Sequence, residues 1–226
     1  MVLTESDSQA KHVYLRGAAA LRRDLTNIIN IALDGPAGSG KSTVSKLIAK
    51  KLNILCLDTG AMYRACALKC IQLNISVTDE KAVNKIISEI NISVKHENGV
   101  QHTYLDGKDV SQDIRKPEIS MLASKVSALE CIRTKMVQLQ REIAKQTSCI
   151  LDGRDIGTNV IPDAPFKFFL TASPEVRAKR RAEENLQKGF ITPYEEVLAD
   201  VIMRDKQDTS RKIAPLKQAD DAILID

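Results

Sequence analysis

A glycine-rich segment between an apolar run and a helical run is the feature that most limits how this chain can fold. Residues 35–42 read Gly-Pro-Ala-Gly-Ser-Gly-Lys-Ser and match the pattern G-x-x-x-x-G-K-[ST] at every fixed position. The glycines let the backbone curl so that successive amide groups point inward, toward an anion. Residues 28–33 predict a buried strand before the loop, and residues 43–49 predict a helix after it, whose N-terminus favours the same anion. This context indicates a phosphate-binding loop rather than an ordinary glycine turn.

Two residues of the loop have predicted roles beyond the backbone. Lys41 supplies a positive charge for the β- and γ-phosphates of a nucleotide, and the Ser42 hydroxyl suits Mg²⁺. Asp152 ends an apolar run and is a second candidate ligand for Mg²⁺, although a turn or helix cap is the simpler interpretation of such an aspartate.

Size and composition are those of one α/β domain without a membrane segment. The chain has 226 residues, of which 43% are hydrophobic and 27% charged, and its formal net charge is +4. No apolar run approaches the ~20 residues of a membrane span. The five cysteines lack C-x-x-C pairing, which predicts reduced thiols and a cytoplasmic protein. We expect a monomer whose partners include neither a membrane nor a nucleic acid.

Five short apolar runs predict a parallel sheet. They are residues 28–33, 54–57, 149–151, 166–170 and 222–225. Their β-branched content and lack of alternation are typical of strands covered on both faces. Predicted helices separate most of them, at residues 62–73, 121–145 and 174–188. This alternation indicates a doubly wound α/β fold, in which ligands bind beyond the carboxyl ends of the strands.

Two segments depart from that alternation. Residues 92–95 and 100–105, with a turn at Asn98-Gly99 between them, predict a β-hairpin. The pattern fits a substrate-side insertion and a surface decoration equally well. Residues 1–26 form an N-terminal extension whose role the sequence leaves open. Its arginines are typical of a targeting peptide, whereas its acidic residues argue against one.

Cationic side chains are abundant near the predicted strand ends, whereas the three histidines lie outside every motif. A phosphate acceptor that needs no deprotonation fits this better than hydrolysis does. Arginine is well suited to binding phosphate. The candidates are Arg64, Arg154, Arg177, Arg180, Arg181, Arg204 and Arg211. For any one of them a solvated or ion-paired surface role is the simpler interpretation, and a nucleic-acid patch is a further alternative for the three arginines at 177–181.

Five segments, in collinear order from about residue 27 to the C-terminus, together resemble the bacterial cytidylate kinase family. They are residues 35–42, 57–64, 109–115, 151–158 and 204–211. The motifs Asp-Thr-Gly-Ala-Met-Tyr-Arg and Asp-Gly-Arg-Asp-Ile-Gly-Thr are quite specific to that family. The resemblance implies transfer of the γ-phosphoryl group of ATP to CMP or dCMP, with Mg²⁺.

The resemblance also implies the layout of the chain. We expect a P-loop kinase core with a five-stranded parallel sheet flanked by helices, formed by residues 27–63, 148–176 and 212–226. A β-containing monophosphate-binding region would span residues 64–147, and a helical lid residues 177–211. The family commonly has a further helix after the last strand, whereas this sequence stops there, so we expect part of the ATP-adenine side or outer layer to be absent.

Residue roles follow from the resemblance by position. ATP binding falls to Gly35, Pro36, Ala37, Gly38, Ser39, Gly40, Lys41, Ser42, Thr43, Arg177 and Arg180. The resemblance assigns binding of the acceptor phosphate to Thr59, Arg64, Arg154 and Arg211. It assigns binding of the cytosine to Ser124, Arg133 and Asp155, and binding of the ribose to Arg204 and Asp208. It assigns catalytic roles to Lys41, Arg154, Arg181 and Arg211, and binding of Mg²⁺ to Ser42 and Asp152.

These roles are chemically sensible for cytosine. A carboxylate accepts from the cytosine N4 amino group, and an arginine donates to N3 and O2. Uracil would leave both groups mispaired, which is costly when they are buried. Two other functions stay open: a P-loop kinase for adenylate or a small metabolite, and a nucleotide-dependent switch or regulatory ATPase.

Overall fold

A five-stranded parallel sheet lies at the centre of the computed structural model, which describes residues 28–97, 99–187 and 189–226. The strands, in chain order, are β1 (Asn30–Asp34), β2 (Leu55–Asp58), β3 (Ile92–Glu97), β4 (Val100–Leu105), β5 (Lys108–Asp109), β6 (Cys149–Gly153), β7 (Phe166–Leu170) and β8 (Ile223–Ile225). The sheet has the order β2-β6-β1-β7-β8 with every neighbouring pair parallel, so the predicted fold is confirmed. The predicted extension, residues 1–26, lies outside the described residues.

Helices cover both faces of this sheet. They are α1 (Lys41–Leu52), α2 (Thr59–Gln72), α3 (Glu80–Glu89), α4 (Pro117–Val126), α5 (Glu130–Gln146), α6 (Pro174–Gln187) and α7 (Tyr194–Ser210). A 3-10 turn (Asp113–Arg115) and a π-helical turn (Ile156–Val160) complete the regular structure. One apolar cluster packs α2 to α5 against one face of the sheet, and a smaller one packs α1 against the other. No helix within the described ranges is both long and apolar enough to cross a membrane.

The single helix predicted over residues 121–145 is wrong, because two helices meet there. α4 ends at Val126, and α5 begins at Glu130 after Leu129, whose backbone is extended. The Ser127 hydroxyl donates to the Ser124 carbonyl oxygen at 2.9 Å, a local bond that competes with helix continuation. Both helices bury apolar residues in the same cluster, Val126 and Ile132 among them, so the hydrophobic pattern does not reveal the break.

The predicted hairpin is confirmed and forms a small antiparallel sheet of the order β3-β4-β5. Glu97 pairs with Val100, and Gly99 has a φ of +76°, while Asn98 lies outside the described residues. Gln101 of β4 accepts from the Asp58 amide at 2.7 Å, and its own amide group donates to the Asp58 carbonyl oxygen at 3.2 Å. The hairpin therefore contacts the carboxyl end of β2, where functional residues were predicted.

Candidate active site

A cleft of about 1300 Å³ opens at the carboxyl ends of the central strands. This is the edge at which doubly wound sheets bind their ligands. Every predicted site residue lines it except Gly35 and Pro36, the first two residues of the glycine-rich loop. The structure therefore gathers residues spread over most of the chain, from Ala37 to Arg211, around one space.

The glycine-rich loop connects β1 to α1, and close packing against β7 restricts its backbone conformation. Gly35 has a φ of +144°, and a Cβ there would lie 2.0 Å from the Leu170 carbonyl oxygen of β7. Lys41, only 4% exposed, donates from Nζ to the Pro36 carbonyl oxygen at 2.6 Å and to Ser39 Oγ at 3.2 Å. Burial, together with the charge of Arg154, lowers the pKa of Lys41 to about 7. The loop thus encloses an ammonium group that an anionic phosphate would stabilise.

Ser42 and Asp152 meet at the floor of the cleft, although they are far apart in sequence. The Ser42 hydroxyl donates to Asp152 Oδ2 at 2.5 Å. Burial raises the pKa of Asp152, although the charge of Lys41 opposes the shift. Hydroxyl and carboxylate oxygens are hard ligands that suit Mg²⁺, so this pair fits the ion. The described residues contain no group of three or more metal-binding His, Cys, Asp or Glu side chains, so phosphates and water would supply the remaining ligands.

The three residues predicted to bind cytosine line one part of the cleft wall. Arg133 donates from NH2 to Asp155 Oδ2 and from NH1 to the Ser127 carbonyl oxygen at 3.1 Å. Both members of this ion pair are at least 95% buried, and Tyr63 packs against the guanidinium with its ring centre 5.6 Å away. Ser124 donates to Gln207 Oε1 of α7 at 2.8 Å. A buried charged pair of this kind requires good geometry to be tolerated.

Asp208 of α7 contacts two of the predicted phosphate-binding arginines. Arg154 donates from Nε to Asp208 Oδ2 at 2.9 Å, and Arg211 NH1 lies 3.7 Å from Asp208 Oδ1. Arg204 lies in the same cleft, where burial and then the charges of Arg181 and Arg154 lower its pKa. Positive charge is therefore concentrated here, as a polyanionic ligand requires.

The N-terminus of α2 holds the remaining predicted acceptor residues. Arg64 pairs with Asp58 at 2.8 Å, and Asp58 also caps the helix by accepting from the Ala61 amide at 3.0 Å. Burial raises the pKa of Asp58, but Arg64 and this amide outweigh it, so the net shift is downward. The Thr59 hydroxyl donates to the Asp152 carbonyl oxygen at 2.7 Å, which ties α2 to β6.

The arginines of α6 differ in what they contact. The buried Arg177 donates to the Ala172 and Ala37 carbonyl oxygens at 2.8 and 3.1 Å and pairs with Asp205 of α7. Its guanidinium is thus engaged by protein, and it links the glycine loop to helices α6 and α7. Arg180 NH1 lies 3.4 Å from the Ser39 carbonyl oxygen, and Arg181 lines the cleft.

Several residues of the site have no role in the sequence-based assignment. Asp34, at the end of β1, accepts from the Ile156 and Gly157 amides at 2.8 and 2.7 Å, and burial raises its pKa to about 6. Its place at a strand end, directly before the glycine loop, marks it in the sequence as potentially functional, but that position assigns it no specific role. Arg115 lines the cleft and lies in a motif, but its spacing gives no indication of a partner. The Arg177–Asp205 pair links two helices and has no sequence signature.

Comparisons with known proteins point to one family. The family described as cytidylate kinase matches residues 31–226. A cytidylate kinase of Caldicellulosiruptor bescii is 51% identical over 198 residues, which cover 88% of this chain and 88% of that protein. A cytidylate kinase of Lactobacillus johnsonii is 50% identical over 205 residues, covering 91% and 89%, and one of Clostridioides difficile is 49% identical over 196 residues, covering 87% and 89%.

Proposed function

This chain belongs to the cytidylate kinase family, and we propose that it transfers the γ-phosphoryl group of ATP to CMP or dCMP, giving ADP and CDP or dCDP. One observation carries the assignment of the site. A single cleft joins the glycine-rich phosphate loop to the buried Arg133–Asp155 pair, with arginines between them. The cleft therefore offers sites for a triphosphate and for a base that presents an amino group.

The donor nucleotide binds along the loop between β1 and α1. Lys41 and the backbone amides of the loop contact the phosphates of ATP, while Arg177 supports the loop from behind through the Ala37 carbonyl oxygen. Arg180 and Arg181 of α6 face the same cleft and would add positive charge as the lid closes. Gly35 and Pro36 act by shaping the loop, since neither lines the cleft.

The acceptor nucleotide binds between α2, α5 and α7. Its phosphate is held by Thr59, Arg64, Arg154 and Arg211, its ribose by Arg204 and Asp208, and its cytosine by Ser124, Arg133 and Asp155. Support comes from the lining of the cleft, to which all nine side chains contribute. Asp208 contacts arginines that we assign to the phosphate, so it also orders that subsite.

The chemistry is an in-line transfer between two phosphates. An oxygen of the acceptor phosphate forms a new P–O bond to the γ-phosphorus, and the bond from that phosphorus to the β,γ-bridging oxygen breaks. The attacking oxygen is already an anion, so no base is required, in keeping with a cleft whose lining, among the residues that the structure describes, includes many arginines and no histidine. Mg²⁺, bound by Ser42 and Asp152 together with the nucleotide, would neutralise charge on the donor phosphates. Arg154, Arg181 and Arg211 stabilise the charge that moves between the nucleotides.

The layout and setting of the enzyme follow the same proposal. Residues 27–63, 148–176 and 212–226 form the core, residues 64–147 the monophosphate-binding region and residues 177–211 the lid. We further propose that the enzyme is a monomer with small-molecule substrates. All five cysteines are free thiols, which supports a reducing compartment such as the cytoplasm.

A coupled assay of ADP release tests the proposed function. The purified chain, with ATP and Mg²⁺, is given CMP, dCMP, UMP or AMP in turn, and we expect CMP and dCMP to raise the rate most. A preference for AMP would assign the chain to another class of monophosphate kinase. ATP hydrolysis that no acceptor stimulates would favour a nucleotide-dependent switch instead.

A further inference from the structure

The carboxylate assigned to cytosine is held by a second side chain besides Arg133. We propose that Asn159 is a positioning residue that orients Asp155, and that it thereby sets the preference for CMP over UMP. The inference rests on the proposed function, because it assumes that Asp155 faces the base.

The contact arises from the π-helical turn at Ile156–Val160. The amides of Asn159 and Val160 both donate to the Asp155 carbonyl oxygen, at 2.9 and 3.1 Å. This turn brings the Asn159 side chain next to Asp155, and the Asn159 Nδ2 donates to Asp155 Oδ2 at 2.9 Å. Arg133 NH2 donates to that same oxygen. Two donors on one oxygen restrict rotation of the carboxylate.

The other carboxylate oxygen is left for the ligand. Asp155 lines the cleft, and its Oδ1 accepts no hydrogen bond from any side chain or amide in the described ranges. An oxygen fixed in this direction can accept from the N4 amino group of cytosine, whereas the O4 of uracil would oppose it with a second acceptor. Discrimination of this kind depends on the orientation of the binding group as much as on its identity.

Asn159 acts from outside the nucleotide cleft. It is half-buried and lines a second, smaller cleft of about 510 Å³ beside α5, so it touches Asp155 without lining the nucleotide site. Arg141 independently holds the end of the π-helical turn, donating from Nε to the Val160 carbonyl oxygen at 3.0 Å and from NH2 to the Asn159 carbonyl oxygen at 2.6 Å. A change of the Asn159 side chain should therefore leave the backbone in place.

The test replaces Asn159 by leucine, which keeps the size of the side chain and removes the donor. We expect the Kd for CMP, titrated without ATP, to rise about 10-fold, as the loss of one charge-assisted hydrogen bond predicts. The Kd for UMP should change less than about twofold. The CMP/UMP ratio of kcat/KM should therefore fall by nearly the factor by which the Kd for CMP rises, while the KM for ATP stays constant. Asn159→Ala should act in the same direction.

Gln138→Leu is the matched control, because Gln138 lines the same second cleft but donates to Glu142 Oε1 at 2.9 Å rather than to Asp155. Its CMP/UMP ratio should equal that of the wild type. Equal weakening of CMP and UMP in Asn159→Leu, or an unchanged ratio with an unchanged melting temperature, would overturn the inference. A wild-type chain without CMP-stimulated ADP release would instead overturn the proposed function, and that result is read before any variant is made.

Discussion

Arg154 Nε donates to Asp208 Oδ2 at 2.9 Å, and this contact joins the end of β6 to helix α7. Arg211, three residues after Asp208, lies near the other oxygen of the same carboxylate. Two arginines assigned to the acceptor phosphate therefore share one buried acidic partner. The geometry of the acceptor site depends on that single side chain.

Asp208→Asn should weaken the acceptor site. The amide keeps the size of the side chain but loses the charge that holds Arg154 and Arg211, so we expect the KM for CMP to rise about 10-fold and the KM for ATP to change little. Steady-state kinetics with each substrate varied in turn measures this. Asp220→Asn is the control, because Asp220 is 99% exposed. An unchanged KM for CMP would contradict the assignment.

Lys41→Ala should abolish most turnover. The ammonium is enclosed by the loop that carries the donor phosphates, and removing one preorganised charge at a phosphoryl-transfer site costs at least about 100-fold in kcat. ADP release with saturating ATP and CMP is the measurement. Lys50→Ala, which alters an exposed lysine of the same helix outside the cleft, should keep the wild-type rate. Retained turnover in Lys41→Ala would remove the loop from the mechanism.

Arg133→Ala should damage the acceptor site and the fold, but spare the donor site. Removing one member of a buried ion pair leaves Asp155 uncompensated, which costs about 3–5 kcal/mol of stability. At a temperature where the variant is folded, the Kd for CMP should rise far more than the Kd for ATP. Isothermal titration with each nucleotide decides the point, and equal loss of both affinities would count against the role of Arg133.

Asp152→Asn should change the dependence on Mg²⁺. Replacing the charged ligand by a neutral amide weakens the hold on a divalent cation, so the Mg²⁺ concentration for half-maximal rate should rise about 10-fold. The rate is followed as free Mg²⁺ is varied at constant ATP. Asp163→Asn, on an exposed loop, serves as the control. An unshifted Mg²⁺ curve would mean that Asp152 does not bind the ion.

Asp34 should make stability depend on pH. Burial, with a smaller contribution from Asp155, raises its pKa from 3.8 to about 6. Between these values the folded chain keeps a proton that the unfolded chain has lost, so ionisation of Asp34 opposes folding as pH rises. Relative to Asp34→Asn, the free energy of unfolding of the wild type should fall by up to about 3 kcal/mol between pH 4 and 7. Urea denaturation of both proteins across this range measures it, and a constant difference would refute it.

The sequence predicted those parts of the structure that depend on local pattern. The glycine loop fills every fixed position of its motif, and the apolar runs at β6 and β7 are too short for helices, so the sheet was predicted to within two residues at each strand end. The boundary between α4 and α5 was missed, because the apolar period continues across it while the local bond of the Ser127 hydroxyl and the extended backbone of Leu129 have no signal in that pattern.

The site was less predictable than the fold. The residues that the motifs single out line one cleft, but the partner of each charge is a tertiary property. Nothing in the spacing shows that Arg177 faces the Ala37 carbonyl oxygen and Asp205, or that Asp34 binds the amides beyond Asp155. Which cations remain available to a ligand is decided by these contacts between distant segments.

The register of the central strands has one last consequence. β1 and β6 are hydrogen-bonded neighbours, with Asp34 beside Gly153, so the glycine-rich loop and the segment that holds Arg154 and Asp155 leave the sheet from adjacent strands. Neighbouring strands lie about 4.8 Å apart in any sheet. In the proposed mechanism, main-chain geometry therefore sets the spacing between one segment that contacts the donor and one that contacts the acceptor. Side-chain replacements in either segment would then change affinity without changing the spacing of the strands from which the two segments leave.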